Sequence, residues 1–290
     1  MVTLLGIGAA LAYGAADFFG GAASRRASTL AALMVSVPVG LFLLFMGALG
    51  VGQAPTVTGL AWGLAAGTAG GAGMITFYRA LARGPMSVVA PVSALAAAVV
   101  PVAVGSLRGE RLNAAALVGV LLCLVAIGLV SMEESASPVG PRQPATGSRL
   151  HRIVDSGPVV AAFSGATFGV FFVLLREAGT GSGLWPLVSA RTGNVVMLVV
   201  AMLLTRRRVA APKGPTLALA VCSGALDAGA NLLYFLATHA GLLSLAAVLT
   251  SLYPEVTVLL ARAVYSERLR TVQRVGMGIA VAGIALVTVG

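Results

Sequence analysis

Four ionisable side chains, Asp17, Arg191, Asp227 and Glu255, lie inside long apolar stretches of the sequence. Burying a charge in an apolar environment costs free energy unless a partner compensates it. A carboxylate in such a position can carry a proton or bind a cation, whereas an arginine stays charged and requires an anion. These residue types in these positions predict proton, ion or substrate binding inside the protein.

Asp227 is the most deeply placed acid, near the centre of its apolar stretch. Asn231 and Tyr234 follow four and seven residues later, so a helix would carry all three on one polar stripe. Asp227 would then carry a proton or a cation, while Asn231 and Tyr234 would orient a substrate. The alternative is an internal hydrogen-bonded strut between helices.

Arg191 lies near the middle of another apolar stretch, with Asn194 one helical turn later. Its anion could be the carboxylate or phosphate of a substrate. It could also be Asp227 or Glu255, in a structural salt bridge. A paired Arg191 and Asp227 would still serve as a switch if the partners exchange when substrate enters.

Glu255 directly follows Pro254, which lacks a backbone N–H and leaves a carbonyl free in the preceding turn. A carboxylate beside such a helix break is suited to binding a cation or a proton. The alternative is a structural pair with Arg262, seven residues later on the same face. Tyr253, on the other side of Pro254, is a further candidate for lining a binding cavity.

Asp17 lies one helical turn after Tyr13, so both side chains would point into a common space. We expect this aromatic and acidic pair to contribute to a binding site. The alternative is an acid near the lipid headgroups, partly solvated.

The composition identifies the environment of these residues. Of the 290 residues, 58% are hydrophobic and only 10% are charged, against about 25% charged residues in soluble domains. The mean hydropathy is +0.99. A soluble globular domain, a disordered chain and a disulfide scaffold are excluded, and the sequence indicates an integral membrane protein.

A membrane helix needs about 20 mostly apolar residues, and the sequence contains ten such stretches. They cover residues 3–21, 28–49, 58–80, 86–105, 113–131, 157–175, 184–204, 214–236, 242–264 and 271–288. The predicted fold is all-α, a polytopic membrane protein with ten transmembrane helices. Residues 132–156 are expected to form a cytoplasmic linker between a first repeat, 3–131, and a second, 157–289.

The formal net charge of +10 comes from basic residues in the short segments between apolar stretches. The odd-numbered segments hold most of them: Arg25, Arg26, Arg79, Arg83, Arg142, Arg149, Arg152, Arg206, Arg207, Arg208, Lys213, Arg268 and Arg270. The positive-inside rule then puts both termini outside and the linker in the cytoplasm. We expect an inner (plasma) membrane protein in a lipid bilayer, and no nucleic-acid partner.

The two halves resemble each other. A shift of 157 residues superposes 80–131 on 237–288 with fourteen identities in fifty-two positions, including Glu110-Arg111-Leu112 on Glu267-Arg268-Leu269. With five apolar stretches each, the halves would enter the membrane in opposite orientations. Inverted repeats of this kind are a common plan of secondary transporters.

Each half resembles one EamA domain, the five-helix repeat of the drug/metabolite transporter superfamily. The second half carries the resemblance in Tyr234-Phe235-Leu236-Ala237, Gly241, Ser244, Ser251-Leu252-Tyr253-Pro254 and Glu267-Arg268-Leu269. The first half carries it in Phe77-Tyr78-Arg79-Ala80, Gly84, Ser87, Ser93-Ala94-Leu95 and Glu110-Arg111-Leu112. One departure is that Pro254 aligns with Ala97, so the helix breaks are expected to differ between the halves.

The resemblance implies a ten-helix basket around a central cavity, and transport of a small molecule, often against protons. We expect a proton-coupled exporter of a small metabolite, such as an amino acid or its derivative, or of a cationic drug. The alternatives are an anion or sugar-phosphate exchanger centred on Arg191 and a non-transporting membrane scaffold. Enzyme motifs are absent from the sequence, and neither a cofactor nor a metal site is expected. Whether the chain acts alone or as a homodimer is left open.

Overall fold

The computed structural model describes residues 1–81, 86–130, 157–205, 210–265 and 271–289, and these residues form helices and short connections. The first half contains α1 (Val2–Arg26), α2 (Thr29–Val51), α3 (Val57–Leu81), α4 (Met86–Leu107) and α5 (Ala114–Val130). The second half contains α6 (Gly157–Glu177), α7 (Trp185–Thr205), α8 (Pro215–Ala240), α9 (Leu243–Thr250), α10 (Tyr253–Tyr265) and α11 (Thr271–Val289). The predicted linker and the block Glu267-Arg268-Leu269 lie outside the described residues.

Length and apolarity make the fold that of a multi-pass membrane protein. Among the residues that the structure describes, six helical segments are long and apolar enough to cross a membrane, and one of them combines α9 with the first part of α10. Three shorter apolar helices lie at Val92–Leu107, Ala114–Leu129 and Thr271–Val287. Large side chains such as Leu4, Phe42 and Val281 are exposed, as expected of helices that face lipid acyl chains.

The ninth apolar stretch is broken into α9 and α10 at Ser251 and Leu252. The break precedes Pro254, whose ring prevents an uninterrupted helical hydrogen-bond ladder. The corresponding stretch of the first half, with Ala97 at the aligned position, is the continuous helix α4. The expected difference between the halves is therefore observed.

The most extensive packing joins helices of the first half to helices of the second. α1 packs on α8 while α6 packs on α3, and α2 packs on α8 while α7 packs on α3. α4 packs on α6, while α9 and α10 pack on α1. Exchanging the two halves replaces α1 by α6, α2 by α7, α3 by α8, and α4 by the pair α9 and α10. Under this exchange, each contact named above becomes the contact that is paired with it. The contacts of α5 with α11 and of α2 with α7 map onto themselves.

Glycines permit the closest of these approaches. A Cβ placed on Gly63 or Gly67 would collide with the backbone carbonyl of Pro186 or Ala190, so α3 lies directly against the α7 backbone. Gly224 of α8 lies against Ser36 of α2 in the same way. Small residues at helix interfaces allow such approaches in membrane proteins.

Candidate functional site

One face of α1 changes from buried to exposed along its length. Gly6 and Ala10 are buried, whereas Asp17 and Gly21 are exposed. These four residues lie on nearly the same side of the helix because each residue advances it by about 100°. The space in front of this face is therefore closed near the start of α1 and open near its end.

The neighbours of α1 identify this as an interior face. Gly14 lies against Val256 of α10, and Gly20 lies against Ser223 of α8. Gly14 and Gly20 are each three residues from Asp17, so they lie about 60° to either side of it around the helix axis. Asp17 therefore points between α8 and α10. Asp17 thus lies on the face of α1 that packs against α8 and α10, and it is exposed there. We call the space in front of this face the α1 cavity, and a binding role for Asp17 in it stays a prediction.

Two tyrosines lie where the cavity closes. The ring centroids of Tyr13 on α1 and Tyr253 on α10 are 6.2 Å apart, with the planes tilted by 57°. Tyr13 also lies within electrostatic range of Arg191 and Asp17. The aromatic pair therefore separates the open end of the cavity from the buried residues near the start of α1.

Arg191 and Asp227 form an ion pair between α7 and α8. The arginine side chain is 8% exposed and the aspartate side chain 30% exposed. The guanidinium also borders Gly40 of α2, where a Cβ would lie 3.6 Å from it. Asp227, one of the two acidic residues expected as partners of Arg191 beside a substrate anion, is thus its observed partner, and the Asp227 carboxylate is the more accessible member of the pair.

Asn231 and Tyr234, the other two residues of the predicted polar stripe, donate hydrogen bonds to backbone carbonyls, whereas Asp227 pairs with Arg191. The Asn231 side chain donates a hydrogen bond of 2.7 Å to the Asp227 carbonyl of its own helix. Tyr234 is fully buried, donates to the Phe172 carbonyl at 3.2 Å and packs on the Phe172 ring at 4.4 Å. Tyr234 therefore joins α8 to α6, and its predicted role in orienting a substrate stays a prediction.

Asn194 is placed near the α3–α7 contact. Its side-chain oxygen is buried and has no hydrogen-bond partner among the described residues. The nearest glycine, Gly70 of α3, would bring a Cβ to 3.4 Å from that oxygen. Asn194 therefore lies against α3, and its predicted role in binding stays a prediction.

Glu255 lies away from the cavity. Tyr253, Val256 and Thr257 of α10 face α1, where Thr257 donates a hydrogen bond of 3.1 Å to the Gly14 carbonyl. Glu255 is rotated by about 200° from Tyr253, so its side chain lies on the far face of α10. The structure thus places Glu255 apart from Asp17, Arg191 and Asp227.

A polar network lies at the closed end of the molecule. Glu110, in the α4–α5 connection, accepts hydrogen bonds from the backbone N–H groups of Leu243 and Ser244 at 2.7 and 3.1 Å. It also accepts one from the Ser244 hydroxyl at 2.7 Å and pairs with Arg176 of α6 at 2.9 Å. We call these four residues the Glu110 network. Gly241, just before α9, touches Val2 at the start of α1, which places the network at that end.

The network sets the ionisation of Glu110. Burial alone would raise the pKa of this carboxyl group. The hydrogen bonds from Ser244 and Leu243, together with the charge of Arg176, outweigh burial and lower the pKa below its ordinary value of 4.5. Glu110 and Ser244 both recur in the other half of the sequence, but their pairing could not be predicted because 134 residues separate them.

An apolar cavity of about 230 Å³ lies elsewhere, between α2, α8 and the start of α7. Leu43, Gly47, Gly229 and Leu232 are among its lining residues, and no predicted site residue lines it. Its composition fits a lipid acyl chain better than a polar substrate.

The comparisons with known proteins agree with this architecture. The sequence pattern of the EamA-like transporter family matches residues 1–132 and 155–289. The chain belongs to the EamA-like transporter family. This membership makes it a multi-pass membrane transporter of the drug/metabolite kind, with a small-molecule substrate and a lipid bilayer environment.

A solved structure supports the fold of this EamA-like chain. The chain is similar over 99% of its length to a protein described only as "Crystal structure of protein", and the similarity covers 96% of that chain. The TM-score is 0.73 at 18% sequence identity, which shows a shared fold alone. None of the curated proteins matches the chain.

Proposed function

We propose that this EamA-like protein is a secondary active transporter that exchanges protons for a small metabolite or drug carrying a cationic group. The observation that carries the proposal is the packed face of α1, buried at Gly6 and Ala10 and exposed at Asp17, with the Tyr13–Tyr253 ring contact between them and the Arg191–Asp227 pair on α7 and α8. A cavity open to one side, bordered by ionisable groups, is what alternating access requires.

The charges favour a cationic group over an anionic one. Asp17 is exposed, and Asp227 is the more accessible member of its ion pair. An ammonium group can therefore compete with Arg191 for the Asp227 carboxylate, whereas an anion would have to reach the buried guanidinium. Protonation of Asp17 or Asp227 would remove the same negative charge, so protons and substrate would compete for one site.

The contacts at the closed end indicate which parts of the protein would move when the transporter changes between its two conformations. The Glu110 network ties the α4–α5 connection and α6 to the start of α9, beyond the tyrosine pair. Opening that end requires these contacts to break, and closing the other end requires the exposed face of α1 to be covered. The positive-inside rule assigns the open end to the cytoplasm. The conformation is then inward-open, and its ten transmembrane segments, with α9 and α10 counted as one, form two inverted repeats, 3–131 and 157–289.

The test is substrate-triggered proton movement in proteoliposomes. Lumenal pH is recorded while amino acids, cationic amphiphiles and phosphorylated sugars are added to the wild-type protein and to Asp227→Asn. We expect a cationic member of the panel to move protons in the wild type, and the signal to disappear in the variant. Asp17→Asn should weaken it as well.

The alternatives predict other outcomes. An exchanger centred on Arg191 would transport a phosphorylated sugar without proton movement. A scaffold would retain its cellular role when Arg191→Gln and Asp227→Asn are combined, whereas both transport mechanisms predict loss of function. The double variant keeps the local charge balanced, so its loss of function cannot be assigned to an isolated buried charge.

A further inference from the structure

Four buried side-chain oxygen atoms surround the break between α9 and α10. They are the Thr250 and Ser251 hydroxyl oxygens and both carboxylate oxygens of Glu255, and none has a hydrogen-bond partner among the described residues. The three residues are 0%, 1% and 6% exposed. Buried polar atoms in proteins are nearly always hydrogen-bonded or bound to a ligand. Four without partners within six residues therefore indicate an occupant.

The backbone at the break adds a further oxygen. In an uninterrupted helix the Thr250 carbonyl would accept from the N–H of residue 254, but Pro254 has none. The Ser251 N–H donates to the Ala247 carbonyl, and the Glu255 N–H donates to the Leu252 carbonyl. The carboxyl end of α9 also carries the negative end of the helix dipole. The break thus presents oxygen atoms and negative charge together.

The chemistry of these groups distinguishes between occupants. A water molecule can donate hydrogen bonds but cannot neutralise the Glu255 carboxylate. A proton neutralises the carboxylate, yet it leaves the hydroxyl oxygens unpaired, since they make no hydrogen bond with Glu255. A metal cation binds several oxygens at about 2.3–2.6 Å each, as Ca²⁺ does, so it can bridge oxygens too far apart for a mutual hydrogen bond. One carboxylate balances a single positive charge.

We infer that Thr250, Ser251 and Glu255 form a binding site for a small monovalent cation, for which Na⁺ is the probe. The site lies on the face of α10 that points away from Tyr13 and α1. It is therefore separate from the Arg191–Asp227 pair. Because the cation would bind between two half-helices, its occupancy would set their relative orientation and the position of Tyr253 at the cavity. The inference goes beyond the proposed exchange and its test does not require transport.

The internal repeat provides a matched comparison. A shift of 157 residues aligns Thr250, Ser251 and Glu255 with Ser93, Ala94 and Ala98. Ala98 is fully buried in the continuous helix α4. The equivalent position in the first half is thus filled by a methyl group, so packing of the fold does not itself demand a carboxylate at residue 255.

The experiment measures Na⁺ binding by the purified full-length protein in lipid nanodiscs. Radioactive Na⁺ binding and the melting temperature are followed as Na⁺ replaces N-methyl-D-glucamine at constant ionic strength. We expect saturable binding and a rise in melting temperature of about 3–6 °C. Glu255→Gln should abolish both effects, and Thr250→Val or Ser251→Ala should weaken binding roughly tenfold. Ser93→Ala, at the position equivalent to Thr250, should bind like the wild type.

Two outcomes would overturn the inference. The wild type binds no Na⁺, or binding persists unchanged in Glu255→Gln, Thr250→Val and Ser251→Ala. In the first case, a gain of Na⁺ binding in Arg262→Gln would identify Arg262 as the partner of Glu255. The two hydroxyl variants keep the test valid if Glu255→Gln does not fold. Na⁺ binding without any transport would contradict the proposed function and leave the cation site intact.

Discussion

The Arg191–Asp227 pair shows how burial determines the role of a charged residue. The arginine is nearly enclosed by α2, α7 and α8, while the aspartate retains access to solvent. A buried pair adds little net stability, but removing one partner leaves the other charge uncompensated. The two residues are therefore unequal, because an unpaired Arg191 is more costly than an unpaired Asp227.

This inequality gives a prediction for single and double substitutions. Asp227→Asn should destabilise the protein by on the order of 3–5 kcal/mol, because it strands the buried guanidinium. Arg191→Gln should cost less, and the combined variant should recover part of the loss. Unfolding of each purified variant, analysed as a double-mutant cycle, measures the coupling. Additive losses would show that the two charges do not interact.

At the scale of helices, the contact between α3 and α7 depends on the absence of side chains. A Cβ on Gly67 would overlap the Ala190 carbonyl, which belongs to a helix backbone and cannot rotate away. We predict that Gly67→Ala destabilises the protein by about 1–3 kcal/mol through overpacking.

Gly229→Ala is the matched control for this substitution. Gly229 lies within α8, and nothing lies within 4 Å of a Cβ placed there. The melting temperature should therefore be unchanged or slightly raised by the higher helix propensity of alanine. Equal losses from both substitutions would contradict a role for close helix approach.

The Glu110 network connects the α4–α5 connection, α6 and α9, and its contribution to the stability of the folded protein depends on pH. The pKa of Glu110 is lower in the folded protein than its ordinary value of 4.5. Its stabilisation is thus fully present above that value and is lost as the pH falls through the lowered folded-state pKa. Glu110→Gln should melt at a lower temperature than the wild type at neutral pH, with the difference narrowing in acid. A difference independent of pH would mean that the carboxylate charge contributes nothing.

At the scale of the whole molecule, exchange of the halves interchanges the main helix contacts. The proposed duplication would produce both this interchange of contacts and the Glu-Arg-Leu blocks at a spacing of 157 residues. Two alternative packings of equivalent elements are what alternating access needs. The broken α9–α10 segment is where the halves differ.

Cysteine accessibility along the interior face of α1 tests this alternation. In a background of Cys123→Ala and Cys222→Ser, Gly21→Cys should react with a polar maleimide, while Ala10→Cys should not. Adding Glu110→Ala weakens the closed end, and Ala10→Cys should then become reactive. Labelling rates in membrane vesicles provide the measurement. Unchanged protection of Ala10→Cys would show that the Glu110 network does not control access.

Several site features could be anticipated from local sequence and others could not. The position of Asp17 on the Tyr13 face follows from helical periodicity, and the break before Pro254 follows from its missing N–H. Tyr234 lies on the same predicted polar stripe as Asp227, yet it donates a hydrogen bond to Phe172. The sequence of one helix does not show which neighbouring helix packs against each of its residues.

By itself the sequence determined the apolar helices, the membrane environment and the resemblance to EamA domains, because these depend on composition, length and periodicity. The tertiary structure alone decided which of two acids pairs with Arg191, what Glu110 binds, and on which side of α10 Glu255 lies. Those outcomes depend on how helices distant in the chain rotate and approach one another. Packing of side chains and glycines at their interfaces sets that arrangement.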